Sequence, residues 1–257
     1  MVYSFKEIRK RKREIIAYYY NYFEYNKMPD KKFIIFAQGR TGSTLLYELL
    51  NSHPQVFCDK EIFWDNFPKF IFPKLYAQGL AIKSKHQVYG FHVKIHQLTM
   101  IQKLNAKKFL TELSSQGWKI IFLTRNNLLK QAISRIIARQ RNQWFDRKEN
   151  PLSQLNFVIN CDDLLEKIKE QETLQYQEKK IIQDLSHLPI FYERDLIKKE
   201  KHQYTLNRIF DFLDIPSMSV NSTLVKTTPE YLSSFISNYQ EIKNIINQTR
   251  YAKFLDE

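Results

Sequence analysis

The sequence predicts an α/β protein: a central, mostly parallel sheet with helices on both faces, in three layers. Three observations predict it. Short uninterrupted apolar runs, "FIIFA" at 33–37 and "WKIIFLT" at 118–124, have the length and composition of strands covered on both sides. Segments of helical periodicity separate such runs along the chain. No repeat, low-complexity linker or change of composition divides the 257 residues, so alternating strands and helices read as one doubly wound sheet with right-handed crossovers.

Each element follows in order. Residues 1–32 read as a basic, aromatic helix, followed by a single α/β domain over 33–257. Lys6, Arg9, Lys10, Arg11, Lys12 and Arg13 form its cationic run, and Ile8, Ile15, Tyr19 and Phe23 recur near helical spacing. The run is either a set of solvated lysines on a packed helix or a contact with a membrane surface or an acidic substrate. After the strand at 33–37, Ser43 to Asn51 continues as a helix. "VYGFHVKI" at 88–95 alternates as a strand, with Phe91, Val93 and Ile95 on one side. Residues 99–116 read as a helix closed by Gly117. A helix follows the strand at 118–124 and runs to about Arg141, and 142–160 is polar and irregular. A long charged helix is expected over 161–186, a strand running into a loop over 188–196, a helix over 203–213 ended by Pro216, and a mostly helical tail from Tyr231 to Leu255.

Bulk properties narrow the classes. No apolar run approaches the ~18–20 residues of a membrane span, and no signal-peptide core follows Met1, so a cytoplasmic protein is expected. Cys58 and Cys161 fit no metal-ligand spacing and read as free thiols. A net charge of +13 favours anionic partners without choosing among a phosphorylated cofactor, an acidic acceptor, nucleic acid or membrane. Only five glycines occur, yet Gly39 and Gly42 stand three residues apart directly after the first strand. A backbone requirement at that point is the economical explanation.

In "FAQGRTGST", a strand runs through a glycine-bearing turn into a helix start. That arrangement gathers backbone N–H groups and the positive end of a helix dipole around one point, as a phosphate needs. Gly39, Arg40, Thr41, Gly42, Ser43 and Thr44 are the candidate cradle. The amides of Thr41 to Thr44 and the hydroxyls of Thr41, Ser43 and Thr44 would donate, and Arg40 would add a forked permanent charge. The fold expected is therefore P-loop-like. An ATP site, however, uses a lysine just before the Ser/Thr and an acidic partner for Mg²⁺. Gly42 takes the lysine's place, and the second buried strand ends in "LTRNN", offering Arg125 instead of a carboxylate. An arginine at a strand's carboxyl end points into the crevice where such sheets bind ligands, and here suggests a second anionic group on the ligand.

These residues resemble the sulfotransferases that use 3′-phosphoadenosine 5′-phosphosulfate (PAPS). "FAQGRTGSTLLYELLNSHP" is similar to their 5′-phosphosulfate loop in the arginine-bearing form of bacterial carbohydrate and lipid enzymes. "FLTRNNLLKQAIS" is similar to their 3′-phosphate motif, with Arg125 and Ser134 in its two places. Their separation of nine is one more than in the cytosolic animal enzymes and resembles the nodulation-factor and trehalose-type members. "IFYERDL", "DFLDIP", "STLVKTTPEYLSSFISNYQEI" and "TRYAKFL" extend the likeness over about 33–255.

The resemblance implies sulfuryl transfer from PAPS to an acceptor hydroxyl of a carbohydrate, lipid or other small molecule, releasing adenosine 3′,5′-bisphosphate (PAP), with no metal. A sulfuryl group carries less negative charge than a phosphoryl group, so amides and guanidinium groups suffice where kinases use Mg²⁺. The resemblance places Arg40 at the leaving phosphate, Arg125 and Ser134 at the 3′-phosphate and Lys226 near the nucleotide. Glu61, in "DKEIFWD", matches the glutamate base of carbohydrate-type enzymes; an exposed loop carboxylate is the plainer account of it. His92 is the second candidate base, and Lys94 would reach the cofactor or an acidic acceptor. Aromatic residues Phe63, Trp64, Phe67, Phe70, Trp144 and Phe145, on segments 64–88 and 142–165, could line an acceptor pocket or lie in the core. Two other classes stay open: an ATP-dependent phosphotransferase, and a non-catalytic anion-binding module. No nucleic-acid motif is visible.

Overall fold

The computed structural model describes residues 5–64, 69–142, 156–221 and 231–255. Five strands form one sheet: β1 (Lys31–Ala37), β2 (Val56–Glu61), β3 (Val88–Val93), β4 (Trp118–Thr124) and β5 (His187–Phe191). Their order is β2-β3-β1-β4-β5, and every neighbouring pair is parallel. The apolar run that announced β1 lies at the centre of the sheet, with Phe33 to Ala37 buried without exception.

Strand alternation divides these side chains between two cores. Ile34 and Phe36 join one formed with helices α1 (Phe5–Phe23), α3 (Pro73–Ser84) and α4 (Ala106–Ser114). Phe33, Ile35 and Ala37 join the other, with α2 (Ser43–Asn51) and α7 (His202–Leu213). A third cluster gathers α5 (Leu128–Gln140), α6 (Cys161–Ile182) and α8 (Tyr239–Asn247). The expected helix–sheet–helix layering is observed, and the described sheet is wholly parallel.

The N-terminal helix packs on the core. Ala17 of α1 is fully buried, and a Cβ built on Gly79 of α3 would lie 1.8 Å from the Ala17 carbonyl oxygen. The buried Glu14 accepts from Tyr18 Oη at 2.6 Å and from the Ile71 amide at 2.9 Å, tying α1 to the turn before α3. Among the described residues no helix is long and apolar enough to cross a membrane.

Several boundaries differ from expectation. The helix expected over 99–116 begins only at Ala106, where Asn105 caps it by accepting from the Lys108 amide; residues Gln97–Ile101 form a π-helical turn. The strand expected over 88–95 stops at Val93 and is buried on both faces. Helix α7 is ended by Asp214 in the left-handed conformation, before Pro216 is reached. Residues Tyr192–Leu196, expected as strand and loop, make a second π-helical turn. Strand β2 and helix α3 were not expected at all. Most of the expected 142–160 loop, including Trp144 and Phe145, lies outside the described residues, as does Phe67.

Candidate functional site

Strands β1 and β4 are hydrogen-bonded neighbours, and both end at the same edge of the sheet. In a sheet of this order the chain leaves β1 for one side and returns to fill the other, which opens a crevice at those carboxyl ends. Residues 38–42 follow β1 there. Arg40 and Gly42 both have positive φ, 65° and 89°, and Gly42 caps α2 directly. Two left-handed residues turn the loop sharply, and the first amides of α2 have no acceptor within the helix. A side chain is excluded at Gly42 for a second reason: a Cβ would stand 2.6 Å from the Tyr192 ring. The structure differs from expectation at Thr41, whose hydroxyl donates to the Gln38 carbonyl at 2.8 Å and braces the loop internally. Ser43 is buried and Thr44 half-buried at the helix start.

Residues far apart in sequence close on this loop. Arg40 Nε donates to Ser134 Oγ at 3.0 Å, and an Arg125 terminal nitrogen donates to the Arg40 carbonyl at 3.2 Å. Ser134 lies on α5, one turn after Gln131, whose amide donates to the Gly39 carbonyl at 2.9 Å. Arg125 is almost fully buried, stacked 4.6 Å over the Tyr192 ring and 3.8 Å from Glu193. Among the described residues its Nε has no hydrogen-bond partner. Burial pulls its guanidinium below the usual pKa, while Tyr192 and Glu193 act in the opposite direction. Glu193 in turn accepts from the Asn126 and Asn127 amides at 3.0 and 3.1 Å, fixing the end of β4.

Helix α6 forms a polar back wall. Gln171, Gln175 and Glu178, spaced to share one helical face, meet the strand ends. Gln175 donates to the Arg125 carbonyl at 3.1 Å. Gln38 donates to Glu178 at 3.0 Å and to the Gln171 carbonyl at 3.3 Å. Burial pushes the Glu178 carboxyl up to about 8 despite the hydrogen bond from Gln38, so it is mainly protonated at neutral pH.

Glu61 sits at the end of β2, where the β2–β3 register shifts: Asp59 pairs with Phe91, but Glu61 pairs with His92. This bulge re-aims the end of the strand. Glu61 Oε2 receives Lys94 Nζ at 2.7 Å and Gln97 Nε2 at 2.5 Å, while Oε1 faces His92 Nδ1 at 3.8 Å. Burial would raise the Glu61 pKa; its neighbours outweigh burial and hold it below the usual value. Burial lowers His92 to about 4. With His92 neutral at pH 7, Lys94 and Gln97 do this work. His92 Nε2 lies 3.1 Å from the Ala37 carbonyl, which can only accept, so the proton belongs on Nε2 and the Nδ1 lone pair faces Glu61. Lys94 also borders the anion loop, its Cε 3.8 Å from where a Gly39 Cβ would lie.

The structure thus brings together Gly39, Arg40, Thr41, Gly42, Ser43, Arg125 and Ser134, and sets Glu61, His92 and Lys94 beside Gly39. Lys226 lies outside the described residues. Phe63 and Phe70 are buried in the core, and Trp64 is exposed. Sequence reasoning missed Gln38, Gln97, Gln131, Glu178, Tyr192 and Glu193. Gln131 carried a usable signal, standing three residues before Ser134 on the same helical face.

No protein-family model matches the chain. Nodulation protein H of Rhizobium tropici is 27% identical over 243 residues, covering 87% of this chain and 92% of that protein. The chain is similar to Nodulation protein H along most of its length. Nodulation protein H of Rhizobium meliloti is also 27% identical, over 138 residues that make up 49% of this chain and 55% of that one. The relationship to Nodulation protein H bears out the resemblance carried by the two motifs, to the nodulation branch of the sulfotransferases. The mouse sulfotransferase SULT7A1 complexed with PAP overlaps 74% of this chain and 61% of its own at 17% identity, with a TM-score of 0.44.

Proposed function

We infer that this chain is a sulfotransferase that moves a sulfuryl group from PAPS to an acceptor hydroxyl and releases PAP. One observation carries the reading: the glycine–arginine loop and the Arg125–Ser134 motif touch through Arg40, so donors for two anionic groups converge on one crevice. The donor set fits PAPS. Loop amides, the α2 N-terminus and Arg40 would hold the 5′-phosphosulfate, and Ser134 with Arg125 the 3′-phosphate.

The reaction is an in-line displacement. The acceptor oxygen forms a bond to sulfur, the bond from sulfur to the 5′-phosphate oxygen breaks, and the electron pair stays on the departing phosphate. Arg40 and the loop amides stabilise that charge. The acceptor proton passes to Glu61. Oε1 is the oxygen left for it, since Lys94 and Gln97 occupy Oε2. Glu61 is the better placed base because its side chain is about one quarter exposed, whereas His92 is nearly sealed. Lys94, between Glu61 and Gly39, supplies positive charge along the transfer path. Lys226 is proposed near the nucleotide on the resemblance alone.

The acceptor class is a carbohydrate, lipid or other small hydroxyl compound, and the cytoplasm is the proposed site of action. The N-terminal helix is proposed to make a peripheral contact with an anionic membrane surface. Single-turnover transfer from labelled PAPS, with acceptors read by mass spectrometry for a sulfate gain, tests the reaction. Hydrolysis of Mg-ATP without binding of PAP would instead support a phosphotransferase.

A further inference from the structure

A helix packed on a core normally turns its polar side outward. Helix α1 does the reverse along much of its length. Its inner face carries Glu14, Ala17 and Asn21, the last donating to Gln78 of α3 at 3.1 Å. Its outer face carries Ile15, Tyr19, Tyr22 and Phe23, which are 65%, 54%, 82% and 65% exposed. These four follow i, i+4, i+7 and i+8 spacing and so form one stripe. Their rings pack on each other, Tyr19 to Phe23 at 4.9 Å and Tyr22 to Phe23 at 4.8 Å.

The stripe does not end at α1. On its flank Tyr18 Oη accepts from the Phe72 amide at 2.8 Å, and its ring meets that of Phe72 edge-on at 5.9 Å. Ile71, Phe72 and Leu75 are themselves exposed there. Two segments distant in sequence therefore present one apolar surface, larger than scattered surface residues explain.

The charge around it selects the occupant. Helix α1 holds six cations, Lys6, Arg9, Lys10, Arg11, Lys12 and Arg13, against two acids, Glu7 and Glu14; of the six, Arg11 is paired with the buried Glu14 and Arg13 with Asp59 at 2.9 Å. Lys12 is exposed one turn before Ile15 on the same stripe, and Lys69 is exposed beside Ile71. A second copy of this chain would set two basic runs and two net charges of +13 against each other. A negatively charged lipid surface attracts each nearby Lys or Arg, and tyrosine and phenylalanine rings suit the headgroup boundary.

We propose that the outer face of α1 and the Ile71–Leu75 turn together form a docking surface for an anionic phospholipid bilayer. The inference deepens the peripheral contact proposed above: the aromatic face is the seat, and the basic run supplies the attraction.

Sedimentation of the full chain with vesicles tests it, comparing pure phosphatidylcholine with mixtures containing roughly one-third phosphatidylserine. Binding is expected to the mixed vesicles only. The triple variant Tyr19→Ser, Tyr22→Ser, Phe23→Ser should weaken it about tenfold or more, and so should Ile71→Ser with Phe72→Ser. The charge variant Lys198→Glu with Lys199→Glu, located before α7 on the opposite side of the sheet, should leave it nearly unchanged. Unchanged melting temperatures and retained PAP binding would exclude misfolding. Failure of every form to sediment would overturn the proposal. So would equal loss in the distant charge variant, which marks diffuse electrostatic binding, or a solution dimer that the aromatic variants convert to monomer. Vesicle binding by a chain that ignores PAP would leave the docking surface standing and remove the sulfotransferase reading.

Discussion

Two glutamates show how position decides what the same side chain does. Glu61 is half-buried and surrounded by donors, and it is held ionised at neutral pH; Glu178 is fully buried against a single amide and is held mainly protonated. Glu61→Gln keeps the shape and removes the proton acceptor. It should lower single-turnover transfer by ~10²–10⁴ while PAP affinity by titration calorimetry stays within about twofold. Arg125→Ala should do the opposite, weakening PAP by roughly 10–100-fold through loss of a charge-assisted contact. Equal effects of both substitutions on both quantities would contradict the division of roles. For Glu178 the folded pKa, about 8, lies above the unfolded value near 4.5. The folded state therefore holds the proton more tightly, and the stability this contributes is complete below pH 4.5 and is lost as pH rises through 8. Thermal melts of Glu178→Gln and the parent chain should diverge in favour of the variant as pH rises from 5 to about 8.5. PAP affinity of the parent should also fall above pH 8, where a negative charge appears behind Gln38, and the variant should lack that fall.

Elements carry the site by touching each other in places a sequence does not display. The Tyr192–Leu196 turn supports the anion loop through Gly42 and holds Arg125 through Tyr192 and Glu193, so it couples both halves of the nucleotide site. Gly42→Ala meets both a positive φ and the Tyr192 ring. It should destabilise the fold by about 1–3 kcal/mol, read in urea denaturation, and weaken PAP more than it lowers the turnover of bound substrate. A variant as stable and as tight as the parent would show that the ring gives way freely. Strands β1 and β4 were legible because a short apolar run between turn residues has few other uses. Helix α3 was not, because Tyr76 to Ile82 are all buried and no polar face marks its period. Strand β2 is brief and ends in charges, and its bulge at Lys60 breaks the alternation that would have announced it. Within the site, Arg40, Arg125 and Ser134 stood in recognisable order, whereas Gln38 and Glu178 are single polar residues whose burial no spacing reveals. Tyr192 could be read as part of a strand, but not as the ring lying against Gly42.

At the scale of the molecule, charge does two separable things. The net +13 raises the local concentration of any polyanion in a salt-dependent way, while the crevice is proposed to bind two particular groups at fixed positions. These contributions are distinguished by what abolishes them. Raising salt should weaken PAP severalfold for the parent chain through screening, with the preference for PAP over adenosine 5′-monophosphate largely kept, because that preference rests on Arg125 and Ser134 contacting a second phosphate. Arg125→Ala should reverse the pattern, losing the preference while retaining the salt slope of the remaining charges. Adding Mg²⁺ or a chelator should change neither quantity beyond the ionic-strength effect, since guanidinium groups and amides occupy the places where kinases set a lysine and a metal. A calorimetric series over salt, nucleotide and chelator reads all three. Magnesium-dependent tightening of PAP, or a preference for the second phosphate that survives loss of Arg125, would mean that the crevice grips its ligand by other groups than the two arginines.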